Sequence, residues 1–274
     1  MIADSITPEG ALSATDALVR FKSREELTHG DLAMLLRNEI ALIVIPRFAH
    51  GEWLEVAADQ VRVEIPGSFN GGPQFKRIGH AFIEVDDEVR RAEYHAQARH
   101  NSVRVRQLFS PFPSPVDELR ALIEETWQGG ANLLRVDGKP FAAGICRVQE
   151  PGIDLEPHTD RLERNLAPGS AFELQAQLSC NVYVHVPRSG GELEIWNNAP
   201  DEAEYERLRA GRRFSIDRDR LPPPDLVIKP AAGDLFILNP RVIHAVRPVE
   251  GEPRVTLGLF LGQVSETGPL VYWS

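Results

Sequence analysis

GDLFILNPRVIHAVRPVEGEPRVTLGLFLG, residues 233–262, contains the pattern that decides the fold. Three short runs rich in Val, Ile, Leu and Phe follow one another: DLFILN, HAVRPV and RVTLGLFLG. The turn-forming sequence AAGD at 231 precedes them, and EGEP at 250 separates the second run from the third. Short apolar runs bounded by Gly, Pro and Asp are typical of β-strands joined by tight turns, so this segment predicts consecutive strands.

The same pattern extends upstream through the second half of the chain. The runs FAAGICRVQ, ELQAQLSCNVYVHV, GELEIWN and DLVIKP are bounded by PG at 151, PRSGG at 187 and PPP at 222. About seven short strands at this spacing predict a double-sheet, cupin-like jelly roll, or double-stranded β-helix, over residues 131–274. The charged stretch at 201–220, DEAEYERLRAGRRFSIDRDR, begins like a helix, and we interpret it as an insertion between strands.

Helical patterns dominate residues 1–130. Helices are predicted over 23–39, which starts with the capping-box pair Ser23 and Glu26, and over 86–107 and 114–128. The apolar run EIALIVIPRF, at 39–48, predicts a strand between the first two helices. We therefore expect a single domain over residues 1–274, mainly β with flanking helices, in which the N-terminal helices pack on one sheet of the jelly roll.

The composition excludes several classes of protein. Among 274 residues, 30 Lys and Arg stand against 40 Asp and Glu, a net charge of −10 that disfavours binding to nucleic-acid phosphates. The longest apolar run, residues 40–46, is too short to span a bilayer, and the N-terminal MIADSITPEG has no apolar targeting segment. Cys146 and Cys180 lie in apolar runs and form no disulfide framework. We expect a cytoplasmic protein, monomeric or homodimeric, without nucleic-acid or membrane partners.

Candidate metal ligands occur at two places in the β-rich half. EPHTDR places His158 and Asp160 one residue apart, and in extended backbone such residues project from the same face. His244 begins the HAVRPV run, and Arg254 and Thr256 lie on one face of the next strand. Two His and one carboxylate form a facial triad that leaves positions on Fe(II) for a chelating co-substrate and oxygen. Arg254 offers a bidentate anchor for the far carboxylate of such a chelator, which the Thr256 hydroxyl can support.

Together these residues resemble the Fe(II)/2-oxoglutarate-dependent dioxygenases. That family has His-x-Asp, a long gap, a second His and then Arg-x-Ser/Thr, a pattern matched here by His158, Asp160, His244, Arg254 and Thr256. The turns GGEL at 190 and GDLFI at 233 are similar to connections between the core strands of that family. The resemblance covers residues 140–264. The stretches KRIGHAF and GGELEIWN look most similar to bacterial hydroxylases of free or N-acylated amino acids, and to related halogenases of alkaloids and amino acids.

The resemblance implies an oxygenase that uses Fe(II), 2-oxoglutarate and O2, releases succinate and CO2, and hydroxylates an unactivated C–H bond of a small molecule. Arg254 and Thr256 then bind 2-oxoglutarate, and Asn181 and Tyr183, which share one face of their strand, are candidates to hydrogen-bond it. Related halogenases replace the carboxylate of the triad by a small residue that admits chloride. Retention of Asp160 therefore predicts hydroxylation, or a related oxidation such as desaturation, rather than halogenation.

An anionic substrate in an acidic protein needs local cations. Arg161 and Arg164 follow the HTD turn, Arg147 lies on the strand that leads into it, and Arg77 lies in KRIGHAF. Each is a candidate substrate residue, although surface or structural roles explain them equally. Trp196, in GELEIW, is a candidate wall of the substrate pocket, although its apolar strand favours core packing.

Three other functions stay open from sequence. The same chemistry can act on a natural-product scaffold such as an alkaloid or peptide, or on a protein side chain. A non-enzymatic, cupin-like metal-binding module is the third, but it gives no role to Arg254 at its spacing from His244.

Overall fold

The computed structural model describes residues 17–64 and 76–274 and confirms a mainly β fold with flanking helices. The acidic N-terminal decapeptide considered above lies outside the described residues. The α-helices are α1 (His29–Leu36), α2 (Gly51–Glu64), α3 (Glu88–Gln107), α4 (Pro115–Thr126) and α5 (Glu202–Arg209). The strands are β1 (Val19–Phe21), β2 (Leu42–Ile45), β3 (Lys76–Ile78), β4 (Ala131–Leu133), β5 (Arg135–Val136), β6 (Lys139–Pro140), β7 (Ile145–Gln149), β8 (Leu155–His158), β9 (Ala176–His185), β10 (Ser189–Gly190), β11 (Leu193–Trp196), β12 (Leu226–Ile228), β13 (Leu235–Leu238), β14 (Ile243–Val246), β15 (Val249–Glu250), β16 (Arg254–Gln263) and β17 (Leu270–Trp273).

Two sheets form the jelly roll. The larger, here the major sheet, has the order β1-β2-β13-β9-β16-β17-β4, and β7 and then β3 pair beside the first half of β16. The smaller, here the minor sheet, has the order β12-β11-β14-β8. Side chains from both sheets pack in one buried cluster, which includes Tyr183 and Phe236 from the major sheet and Leu193 and Val246 from the minor sheet. The two sheets therefore face each other.

The pleat of β16 separates a helix-facing side from a cavity-facing side. Val255 and Leu257 belong to the core cluster under the N-terminal helices, which also contains Leu119 of α4. Each fully buried Leu of this kind stabilises the fold by about 1.5–3 kcal/mol. Arg254 and Thr256 alternate with these apolar residues and project into the space between the sheets. One face of β16 therefore packs in the core, and the other lines the cavity.

Two of the predicted helices are confirmed almost to the residue. α3 begins after Asp87, whose carboxylate accepts from the Arg90 backbone N–H at 2.8 Å. α4 begins after Ser114, whose hydroxyl accepts from the Val116 N–H at 3.3 Å, with Pro115 in the first turn.

The first predicted helix starts later than expected, after Thr28 instead of at Ser23. Thr28 and Asp31 form the true capping box, in which each side chain accepts from the backbone N–H of the other. Ser23 and Glu26 exchange the same pair of hydrogen bonds, but around an isolated turn. The motif alone does not distinguish the two cases. α2 was not predicted.

The N-terminal half contributes strands as well as helices. β2, from the predicted apolar run, pairs antiparallel with β13 inside the major sheet, and β3 pairs with β7. In the stretch at 201–220 the structure has α5, between β11 and β12. None of the described helices is long and apolar enough to cross a membrane.

Candidate active site

The three predicted metal ligands meet on the minor sheet. His158 ends β8, and His244 lies directly opposite it on the antiparallel partner β14. Asp160 follows two residues after His158, and its backbone N–H donates to the carbonyl of Pro240 at 2.8 Å. β8 was not among the predicted strands, although the backbone from His158 to Asp160 was expected to be extended. The register between β8 and β14 is what brings the two imidazoles together.

The ligand atoms form a tight, buried cluster. His158 Nε2 lies 3.7 Å from Asp160 Oδ1, and His244 Nε2 lies 3.8 Å from Asp160 Oδ2. One potential ligand atom from each of the three residues lies within 4.8 Å of the others. All three side chains are buried. Two imidazole nitrogens and one carboxylate oxygen at these separations fit a single divalent transition-metal ion.

Hydrogen bonds fix the tautomer of both histidines. His158 Nδ1 lies 2.7 Å from the carbonyl oxygen of Glu156, and His244 Nδ1 lies 3.0 Å from that of Val242. Because a carbonyl only accepts, each Nδ1 carries the proton and each Nε2 keeps its lone pair for a metal. Burial, together with the neighbouring His244, lowers the pKa of His158 to about 4, which keeps its imidazole neutral.

The opposite wall, on the major sheet, carries the predicted co-substrate residues. Arg254, Thr256, Asn181 and Tyr183 all line the cavity. The Arg254 guanidinium is buried, lies 4.9 Å from the centre of the Tyr183 ring, and donates to Gln149 Oε1 at 3.4 Å. Its Nε–H has no hydrogen-bond partner within the described residues. A buried donor left without a partner is costly, so the site suits an anion that accepts from it.

Arg147 is a second cation on this wall. Its neighbours Cys146 and Val148 face the helices, so the side chain of Arg147 projects into the cavity. In the part of the chain that the structure describes, Arg147 has no ion pair or hydrogen bond. Burial lowers its pKa, and Asp160 acts in the opposite direction. Gly258 lies next to Arg147 on this wall, since a Cβ added there would be in ordinary contact with Arg147 Nη1, at 3.8 Å.

A cavity of about 1350 Å³ separates the metal ligands from these cations. The cavity is large enough for a co-substrate and a drug-sized substrate together. Arg77, on the neighbouring strand β3, also lines it and is paired with Glu84.

Comparison with known proteins agrees with this geometry. The family model described as carrier-protein-independent halogenase WelO5 matches residues 19–274, which is nearly the whole chain. The chain belongs to this family.

Two relatives of this WelO5-family protein are named as a dioxygenase of an amino acid and a hydroxylase of a γ-glutamyl amino acid. It is 26% identical to L-isoleucine 3(1)-dioxygenase of Pantoea ananatis, over 97% of this chain and 93% of that enzyme. It is 30% identical to L-gamma-glutamyl-L-propargylglycine hydroxylase of Streptantibioticus cattleyicolor, but over only 59% of each protein. This second match therefore spans less than two thirds of the hydroxylase.

A solved structure with the same fold is an N-substituted L-amino acid dioxygenase from Burkholderia ambifaria. It superposes with a TM-score of 0.60 at 17% identity, over 90% of this chain and 91% of that one. The resemblance to Fe(II)/2-oxoglutarate-dependent dioxygenases, inferred from five residues, is thereby confirmed at the level of family and fold.

Two of the candidate substrate residues, Arg161 and Arg164, bind other residues of this chain. Arg164 donates to the carbonyl and hydroxyl oxygens of Thr159, at 2.5 and 2.9 Å, and to Glu202. Arg161 donates to the Pro200 carbonyl at 2.9 Å and lies 2.9 Å from the same Glu202. Both line the cavity, and the Arg161 Nε–H has no hydrogen-bond partner among the described residues. A substrate role for either residue stays a prediction, which the contacts of Arg164 with the chain do not favour.

Trp196 packs in the core, the alternative that its apolar strand favoured, and does not line the cavity. On β11, Leu193 and Ile195 face the space between the sheets, so Trp196 faces the other way. Its ring packs with Tyr205 and Ile216 from the 201–220 stretch, and its Nε1–H donates to the Pro222 carbonyl at 2.6 Å.

Sequence reasoning missed Phe214, which lines the cavity from the 201–220 stretch. Its ring is 46% exposed, and its centre lies 4.8 Å from that of the His158 imidazole. A single aromatic residue in the charged segment RRFSID, after Gly211, was the available signal. An exposed aromatic ring next to a metal ligand presents an apolar surface to whatever enters.

Proposed function

We propose that this chain is an Fe(II)- and 2-oxoglutarate-dependent oxygenase that hydroxylates an unactivated C–H bond of a small carboxylic acid, namely an amino acid or N-acyl amino acid derivative. The observation that carries the proposal is the buried cluster of His158, Asp160 and His244 facing Arg254 across one cavity. The amino-acid oxygenases among its relatives support the substrate class.

His158, Asp160 and His244 are assigned to hold iron. With both Nδ1 atoms protonated, the donors are two Nε2 lone pairs and one carboxylate, the set that suits Fe(II) and leaves coordination positions for other ligands. When bound with 2-oxoglutarate and O2, the iron supplies the oxidation of a C–H bond, with succinate and CO2 as by-products. The protein's contribution is to keep the His158 imidazole neutral and the three ligands within bonding range of one ion.

Arg254 is assigned to the far carboxylate of 2-oxoglutarate. Its Nε–H, without a partner among residues 17–64 and 76–274, and its burial beside Tyr183 suit a charge-assisted, bidentate contact. The Thr256 hydroxyl is on the same strand face, and Asn181 lies on β9, beside Gly258. These polar groups line the same wall and are positioned to orient the co-substrate by hydrogen bonds.

Arg147 is assigned to a carboxylate of the substrate. Fe(II), Asp160, Arg147 and Arg254 together carry three positive charges, of which dianionic 2-oxoglutarate neutralises two. A substrate with one carboxylate and no free ammonium, such as an N-acyl amino acid, balances the third. Phe214, on the other side of the cavity, is assigned to the apolar part of the same molecule. The predicted substrate is therefore a carboxylic acid with an apolar side chain.

Retention of Asp160 favours oxygenation over halogenation, although the matching family model is described as a halogenase. The carboxylate fills the ligand position at which a halogenase admits chloride, and it lies within 4 Å of both imidazoles. We further infer that residues 1–274 act as one catalytic domain, because β2 from the N-terminal half is an internal strand of the sheet that carries Arg254.

The test is succinate release from 2-oxoglutarate by the purified protein with Fe(II) and O2. The panel contains L-leucine, L-isoleucine, their N-acetyl derivatives, and the carboxamides of all four as matched controls without the carboxylate. We expect succinate and a product with one added oxygen atom from acids but not from carboxamides. His158→Ala is the inactive control.

Three results would contradict parts of the proposal. If the protein turns over only a peptide, an alkaloid or a protein extract, the reaction type stands but the proposed substrate class is wrong. A chlorinated product in chloride buffer would overturn the choice of hydroxylation. If the iron-loaded protein neither binds 2-oxoglutarate nor turns it over with any of these substrates, the chain is a metal-binding module and not an enzyme.

A further inference from the structure

Thr159, the residue between the ligands His158 and Asp160, is held by side chains from outside the metal site. It is fully buried, and its hydroxyl oxygen and carbonyl oxygen both accept from the Arg164 guanidinium, at 2.9 and 2.5 Å. Its backbone N–H donates to the Tyr205 hydroxyl oxygen at 3.4 Å. Two side chains therefore bind the backbone N–H, the carbonyl and the hydroxyl of Thr159.

Arg164 is itself held by the helix of the insertion. Glu202 and Tyr205 both lie on α5, and Glu202 accepts from Arg164 in a bidentate pair at 3.0 and 3.1 Å. The guanidinium also lies 4.1 Å from the centre of the Tyr205 ring. One planar cation thus joins α5 to the loop that carries two metal ligands, with geometry that a lysine does not reproduce.

We propose that Arg164 is a positioning residue for the metal centre, and that α5 fixes the loop from His158 to Asp160 through it. This inference rests on the proposed function, in that it takes these ligands to bind a metal. The separation between the His158 imidazole and the Asp160 carboxylate depends on the backbone at Thr159. Holding that backbone keeps both ligands in place before the metal arrives, which raises metal affinity.

The insertion has separate attachments, so removal of this contact is not expected to detach it. The backbone N–H of Ile216 donates to the Pro157 carbonyl at 2.7 Å, and Arg212 pairs with Glu156 at 2.8 Å. Substitution of Arg164 therefore isolates the positioning role from the folding of α5.

The experiment is titration of the metal-free protein with Co(II), followed by visible absorbance. Arg164→Met is expected to weaken Co(II) binding about 10- to 100-fold and to alter the absorption spectrum, the usual effect of losing a contact that orients metal ligands. Arg164→Lys, which keeps the charge and one donor, should recover part of the loss. Arg207→Met is the matched control, because Arg207 is an exposed arginine of the same helix, 3.7 Å from Glu204. It should bind Co(II) like the parent.

Two further variants keep the test valid if Arg164→Met does not fold. Thr159→Val removes one acceptor, and Glu202→Gln removes the charge that holds Arg164; each should weaken Co(II) binding several-fold. Unchanged affinity in every folded variant would overturn the inference, as would a fall in melting temperature without a change in affinity. If neither the parent nor His244→Ala binds Co(II), the result contradicts the proposed metal centre and not the role of Arg164 alone.

Discussion

The two sheets contribute to the site by opposite means. The minor sheet supplies two imidazoles and one carboxylate, and burial lowers the pKa of His158 to about 4. The major sheet supplies arginines that stay charged although burial lowers the pKa of Arg147. One wall is therefore built to share electron pairs with a cation, and the other to attract anions.

The difference shows that metal affinity and anion affinity have separate structural origins. The metal ligands depend on the register of β8 against β14, which places His158 opposite His244. The arginines depend on the pleat of β7 and β16, which directs alternate residues into the cavity. Substitutions on one wall should therefore leave the function of the other intact, and each prediction below tests that separation.

The largest effect is expected from His244→Ala. Loss of one of three ligands should abolish Co(II) or Fe(II) binding in the micromolar range and lower succinate release on the order of a thousandfold or more, because the metal carries the oxidation. Calorimetric titration and succinate assays measure the two effects. The fold should survive, because the contacts of the His244 side chain are with Asp160, His158 and the nearby Val242 carbonyl. Substantial turnover by this variant would contradict the assignment of the minor-sheet residues as metal ligands.

The next effect is expected from Arg254→Met. Loss of a charge-assisted contact worth about 1.5–3 kcal/mol should raise the KM for 2-oxoglutarate roughly 10- to 100-fold. The Kd for Co(II) should stay within twofold of the parent. Steady-state kinetics and metal titration check the pair of values, with Arg254→Lys as an intermediate. A parallel loss of metal affinity would show that the walls are not independent.

A smaller and more selective effect is expected from Arg147→Met. Arg147 has no ion pair or hydrogen bond in the part of the chain that the structure describes. The acid that acts on it, Asp160, keeps His158 and His244 beside it after the substitution. The KM for a carboxylate substrate should rise by about tenfold, while the KM for 2-oxoglutarate changes little. Turnover of the matching carboxamide should stay as low as it is in the parent. The reverse pattern, a higher KM for 2-oxoglutarate alone, would reassign Arg147 to the co-substrate.

Several residues of both walls could be predicted from the sequence. His158, Asp160, His244 and Arg254 were predicted because each residue type has a specific chemistry at a short spacing along the chain. The alternation of Asn181 and Tyr183 with apolar residues correctly predicted a shared face, since the pleat has a fixed period.

Contacts between distant segments were beyond that reasoning. Arg161 and Arg164 carry the right charge near the right motif, but Glu202 on α5 engages both of them. Such outcomes depend on which side chains fold against one another, and local spacing does not encode that.

Gly258→Ala is expected to have an effect of only a few-fold. An added Cβ would lie 2.9 Å from Asn181 Oδ1 and 3.3 Å from the Cys180 carbonyl oxygen. The amide can rotate but the carbonyl cannot, so the major wall should shift slightly and the KM for 2-oxoglutarate should rise. Gly51→Ala, where an added Cβ meets nothing within 4 Å, is the control. An unchanged KM would mean that Asn181 does not contact the co-substrate.

The smallest effect is expected from Phe214→Ala, which tests the side of the cavity next to the metal ligands. Because the ring is 46% exposed, its removal should leave the melting temperature within a few degrees of the parent. The loss of apolar contact should raise the KM for N-acetyl-L-leucine about two- to fivefold relative to N-acetyl-L-alanine. The ring also covers one face of the His158 imidazole, so the Kd for Co(II) is the discriminating measurement. An unchanged Kd with altered substrate preference assigns Phe214 to the substrate, whereas a weaker Kd with unchanged preference assigns it to the metal ligand.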